Sequence, residues 1–235
     1  MKHMFRLVAA VVMAAFACGC ATDRGPRLPK VVFTFDDGFT EHYDIVAPIL
    51  EKYGFRGSFN VVVGSVGRPK HMTWDQLRDL DRRGHAIENH TMTHPNMVAL
   101  AESNDTARIE RELTLARDEI ASAIGRAPTF VCLPYSRSNA AVDMAIRDSW
   151  QKPMCCCRRN FGEGYAPGDA TRYIDERVAQ GRRVVDLLCH GVTANGPGYK
   201  PFASPEAFEA FVKEVKELVD RKQVKVVLYR DCEVY

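Results

Sequence analysis

From Lys30 onward, short β-rich runs alternate with amphipathic stretches, and few folds accommodate that order. A strand presents two faces and an amphipathic helix one apolar stripe, so strict alternation is satisfied when helices cover a parallel sheet or barrel. The runs are residues 31–36, 57–63, 85–89, 129–133, 154–157, 184–189 and 225–229. An open doubly wound sheet gives the same alternation, but about seven parallel strands in an α/β chain favour a (β/α) barrel. The helical stretches carry their own signals. Ser204 is placed to cap a helix that begins at Pro205, and Phe208, Phe211, Val212, Val215, Leu218 and Val219 share one face of it. Ile109, Leu113, Ala116, Ile120 and Ile124 recur at helical spacing before Gly125, which suits a left-handed stop. Both stripes read as core.

The first 29 residues stand apart. Lys2 and Arg6, then the apolar run 7–17 and small residues, give residues 1–19 the make-up of an export signal, too short to span a bilayer as a permanent helix. Ala17-Cys18-Gly19-Cys20 resembles a bacterial lipobox. Cys20 is the expected lipidation site and residues 20–29 a polar tether, which places the protein in the periplasm or cell envelope, held to the membrane by its lipid. A plain secretory signal with incidental cysteines is the alternative and also leads to export. Residues 30–235 form one domain of a length that α/β barrels use around a single core. Loss of residues 1–19 removes two basic residues and takes the formal charge from +2 to zero, leaving no net field to attract nucleic acid. Besides Cys20, the exported chain holds Cys132, Cys155, Cys156, Cys157, Cys189 and Cys232. Export permits disulfides among them, and buried free thiols are an equal alternative.

The chemistry begins where the run 31–36 ends in Asp36-Asp37-Gly38. Adjacent strand residues point to opposite faces, so both carboxylates reach one site only if the chain turns there, which Gly38 eases. His90-Thr91-Met92-Thr93-His94 follows the run 85–89 and therefore falls at the same edge of the sheet. Two imidazoles four residues apart can approach one ion if the turn between them is compact; Pro95 argues for a loop there. Two histidines and one carboxylate leave coordination positions open for water, and a second, free carboxylate can act as general base. His190, closing the run 184–189, is the candidate acid for the leaving group. No Gly-x-Ser-x-Gly elbow supports a serine esterase.

On these residues the chain resembles the polysaccharide deacetylases with a NodB homology domain, carbohydrate esterase family four. Thr34-Phe35-Asp36-Asp37-Gly38 fits the first motif, His90-Thr91-Met92-Thr93-His94 the second and Leu187-Leu188-Cys189-His190 the fifth. The resemblance implies a NodB-like distorted barrel and a divalent ion, most often zinc. It makes Asp36 the general base, Asp37, His90 and His94 the metal ligands, and His190 the general acid. Tyr135 matches the third-motif tyrosine, whose backbone N–H helps hold the oxyanion, while its ring can equally wall the sugar site. The chain departs from the pattern at Cys132, where the family carries an arginine two residues before Pro-Tyr. A thiol cannot reproduce a guanidinium fork. Either another cation, Arg158 or Arg159, takes that place, or the base is tuned differently, or activity is reduced.

The function expected is removal of acetyl groups from a carbohydrate, foremost N-acetyl groups of amino sugars. The alternatives are a polysaccharide O-acetyl esterase and a carbohydrate-binding surface lipoprotein with a weakened site.

Overall fold

The structure, a computed structural model, describes residues 27–154, 158–194 and 196–232. Signal, lipobox and Cys155-Cys156-Cys157 lie outside the described residues. The strands are β1 (Lys30–Phe35), β2 (Ser58–Val61), β3 (Ala86–Asn89), β4 (Phe130–Val131), β5 (Lys152–Pro153), β6 (Arg159–Phe161), β7 (Val184–Cys189) and β8 (Lys225–Val226). All their pairings are parallel. Seven follow the hydrogen-bonded path β5-β4-β3-β2-β1-β7-β6 and curl into a half-barrel, as the alternation predicts. β8 pairs with the start of β1, at Lys30 and Val31, while β2 takes the end of the same edge at Thr34 and Phe35. The strand expected over residues 154–157 falls, but for Met154, outside the described residues; β5 and β6 lie before and after it. β5 ends in Pro153, which has no N–H to give and sits at the end of the strand path.

Helices α1 (Ala47–Lys52), α2 (Trp74–Arg82), α3 (Met97–Glu102), α4 (Thr106–Ile124), α5 (Ala140–Asp148), α6 (Asp169–Ala179) and α7 (Pro205–Asp220) cover the sheet. The Ser204 side chain caps α7, and Gly125 ends α4 at φ 81°. The period of two in β1 sorts its residues. Val31, Phe33 and Phe35 join the large core under the helices, together with Phe208, Phe211 and Val212 of α7. Val32 turns inward to Phe130, Cys132 and Tyr229. Thr34 also faces inward, where its hydroxyl donates to Asp186 of β7 at 2.6 Å. The barrel interior is thus apolar at its base and polar one layer higher, and the next inward position is Asp36.

Candidate active site

Asp36 continues the inward series and is 3% exposed. The strand then stops. Asp37 at φ 76° and Gly38 at φ 74° are both left-handed, and this turn brings the second carboxylate to the site occupied by the first. The histidine segment is a loop, as Pro95 predicts, with Thr91 at φ 69° and His94 at φ 58°. Side chains hold it in shape. The Asn89 side-chain oxygen Oδ1 accepts from Thr91 N at 2.7 Å, and the Thr91 hydroxyl accepts from His94 N at 3.0 Å. Glu112 of α4, buried, accepts from Thr93 N at 2.7 Å and from the Thr93 hydroxyl at 2.5 Å.

The result is a three-donor cluster. Asp37 Oδ1 lies 3.5 Å from His90 Nε2 and 3.5 Å from His94 Nε2, and one donor atom from each residue falls within 4.8 Å of the others. Bonds of about 2.1 Å to a tetrahedral ion hold its donors about 3.4 Å apart, so this set fits a divalent metal. His90 Nδ1–H donates to the Cys132 carbonyl at 2.7 Å, which leaves Nε2 as the ring atom directed at Asp37.

The cation that the third motif lacks comes from elsewhere. Arg158 reaches Asp36 with both terminal nitrogens, Nη1 to Oδ1 at 3.1 Å and Nη2 to Oδ2 at 2.8 Å, and its side chain is 2% exposed. Arg159, the other candidate, instead lies over the rings of Phe161 and Tyr173. Asn60 adds a hydrogen bond to Asp36 Oδ1 at 2.6 Å. Burial pushes the Asp36 carboxyl up, but Arg158 and then His90 outweigh it and hold the group well below the usual carboxylate range. Asp186 stands on the far side of Arg158, 4.0 Å from Nε; its own burial raises it to about 7 against the pull of Arg158 and Thr34. Cys132 Sγ packs into this group, 2.9 Å from Arg158 Nη2 and 3.5 Å from both Asp36 oxygens. Burial pushes its thiol up and the opposing pull of Arg158 does not reverse this, so it stays protonated.

His190 faces the same cleft. Its Nδ1–H donates to Asn160 Oδ1 at 2.7 Å, while the Asn160 amide nitrogen is directed to the carbonyls of Tyr199 and Lys200. Burial lowers the imidazole, and Asp36 and Asp37 only partly pull it back. Its backbone is braced from the first loop: His42 Nε2–H donates to the His190 carbonyl at 2.9 Å, and Glu41 accepts from Val192 N at 2.5 Å and the Thr193 hydroxyl at 2.8 Å. Tyr135 lies against His94, with ring centroids 5.1 Å apart, and is 63% exposed at the mouth. Asp36, Asp37, His90, His94, His190 and Tyr135 line one cleft of about 710 Å³. His85 does not reach it; it is buried between Gly57 N and Glu51. Among the described residues, Cys132, Cys189 and Cys232 are free thiols.

Sequence reasoning did not single out Asn60, Glu112, Asn160, Asp186 or His42. The first and fourth had a signal, a polar residue at an inward position of an otherwise apolar strand. The others act through loops whose partners lie far along the chain.

His42 carries a prediction of its own. Fully buried, it is pushed down to about 4 from an ordinary value of 6.5. A histidine lowered by folding contributes stability that is complete above pH 6.5 and is lost as pH falls toward 4, by about 3 kcal/mol. Thermal midpoints of the wild type should fall over that window, and the His42→Gln variant should show a shallower fall. An unchanged slope in the variant would place the acid sensitivity elsewhere.

Comparison with known proteins gives the family and the fold. The polysaccharide deacetylase family profile matches residues 23–149, and the chain belongs to that family. A chitooligosaccharide deacetylase from Rhizobium leguminosarum bv. trifolii is 32% identical over 114 residues, covering 48% of this chain and 49% of the relative. A chitin deacetylase from Pestalotiopsis sp is 29% identical over 107 residues, 46% of this chain and 34% of the relative. The chain thus spans half or less of the length of these relatives. Among solved structures, the Xyl-CE4 domain of a multidomain xylanase from the hindgut metagenome of Trinervitermes trinervoides superposes with a TM-score of 0.63 at 16% identity, covering 87% of this chain and 89% of that one. A family-four pseudoenzyme from Bacillus anthracis gives 0.61 at 16%, covering 88% and 66%. These two likenesses show the fold.

Proposed function

We propose that this chain is a metal-dependent hydrolase that removes acetyl groups from carbohydrate, foremost N-acetyl groups of amino-sugar polymers or oligomers. The observation that carries the reading is the meeting, in one cleft, of an arginine-locked carboxylate, an Asp-His-His donor set and a histidine, His190, whose ring is held by Asn160. Asp37, His90 and His94 would hold a divalent ion, with zinc favoured by two imidazoles and one carboxylate. Such an ion supplies Lewis acidity toward the acetyl carbonyl and the attacking water. Asp36, kept ionised by Arg158, accepts the proton of that water. His190, once Nε2 has taken up a proton from solvent, gives it to the departing nitrogen, its ring fixed through Nδ1–H by Asn160. The Tyr135 backbone N–H is assigned to the oxyanion and its ring to the sugar. The reading of a binding protein without turnover rested on Cys132, and Arg158 weakens it by supplying the guanidinium that Cys132 lacks. Export and lipid attachment at Cys20 belong to the proposal and rest on residues 1–29 alone.

Asp36→Asn tests the reading. The variant should retain zinc and fold while acetate release from acetylated chitooligosaccharides drops by roughly 10²–10⁴-fold. A wild type as inert as the variant across amino-sugar and acetylxylan substrates would return the binding protein.

A further inference from the structure

The wall of the cleft that follows β4 holds a charge the reaction does not use. Arg137 lines the cleft and is exposed, and no acidic side chain of the described residues pairs with it. The other arginine of the lining, Arg158, is neutralised by Asp36. Asp143, the acid nearest to Arg137 along the chain, is engaged by the Ser138 hydroxyl. Asn96 also lines the cleft; its side-chain Oδ1 accepts from the Ala99 N–H in the first turn of α3, so its amide nitrogen is the group left to offer. Ser136 adds a hydroxyl beside them. This wall therefore presents donors and positive charge and no carboxylate.

The backbone there is also strained. Tyr135 at φ 60° and Ser136 at φ 52° are two consecutive left-handed residues, neither of them glycine, at a cost of about 1–3 kcal/mol each. The turn is what lets three successive residues, Tyr135, Ser136 and Arg137, all line the cleft, which neither a strand nor a helix would allow. An aromatic face, a hydroxyl and a guanidinium fork side by side suit a sugar ring that carries a planar anion.

We propose that the Tyr135–Arg137 turn is a specificity element for carboxylate-bearing glycans, with Arg137 pairing a carboxylate on the acetylated sugar or on its neighbour. This rests on the deacetylase reading of the same cleft. The carboxylate can come from an acidic ether substituent of the amino sugar itself or from an adjacent uronic acid, and both offer the same two oxygens. Because Arg137 is exposed, the preference should be modest and sensitive to salt, since charges at a surface are screened beyond about 8 Å at physiological ionic strength.

The test is calorimetric titration of the full chain, with turnover stopped by Asp36→Asn and, separately, by chelation of the wild type. Three oligosaccharides of equal length are compared: chitotetraose, one alternating N-acetylglucosamine with glucuronate, and one alternating N-acetylglucosamine with its lactyl-ether derivative. At low salt at least one acidic ligand should bind about tenfold more tightly than chitotetraose. Arg137→Gln should bring that ratio near one, Arg137→Glu should invert it, and 0.5 M salt should compress it. The acidic ligand that shows the dependence identifies the source of the carboxylate. Equal affinity for all three ligands, or a preference that survives Arg137→Glu, overturns the proposal. Acetate release by the wild type is read in parallel: an intact Arg137-dependent ratio without release from any ligand supports the anion subsite and refutes the deacetylase reading.

Discussion

Replacement of Arg158 by methionine should lower acetate release by about a hundredfold or more and destabilise the fold by about 3–5 kcal/mol. Both effects have one origin. Asp36 is 3% exposed, and the guanidinium is its main compensating charge. Without it, burial raises the carboxyl toward its neutral form, which can accept no proton, and the residue that remains ionised pays for desolvation unaided. Arg158→Lys should recover part of the stability and little of the rate, because an ammonium cannot make the paired contacts at 3.1 and 2.8 Å. Cys132→Ser is the control: the thiol is neutral and a hydroxyl can take up its contacts to Arg158 and Asp36, so kcat/KM should stay within about threefold. Activity near wild type in Arg158→Met, measured beside a denaturation curve, would show that the base is tuned by something else.

His94→Ala should have the second large effect. On the proposed ligand set one donor of three is lost, from a side chain at the rim of the site that is 30% exposed, so the fold should persist. Zinc retained after dialysis should fall from about one equivalent to a small fraction, and acetate release by about a thousandfold, more than the 10–100-fold typical of losing a supporting residue. Excess zinc in the assay should restore some of it. Full zinc content in the variant would remove His94 from the ligand set.

The outcome at Cys132 shows what a sequence can and cannot reveal about such a site. Asp36, Asp37, His90, His94 and His190 were legible because they follow the ends of three strands at the same edge of a parallel sheet, and strand ends are visible in the hydrophobic pattern. The loss of the usual arginine was equally visible. Its replacement was visible only as one of two adjacent arginines, since choosing Arg158 over Arg159 depends on which points into the barrel after residues 155–157. Asn60 and Asp186 could have been suspected from their polarity inside apolar runs. Glu112 lies on the apolar face of α4 among Ile109, Leu113 and Ala116, and its bonds to Thr93 cross from a helix to a loop, a pairing that no local spacing encodes.

The central claim is most directly tested by acetate release from acetylated chitooligosaccharides by the full chain as isolated, after a chelator, and after zinc is returned. The structure leads us to expect release that the chelator abolishes and zinc restores. Release indifferent to the chelator, or none from a folded, zinc-loaded protein on chitooligosaccharides, peptidoglycan and acetylxylan alike, would contradict it.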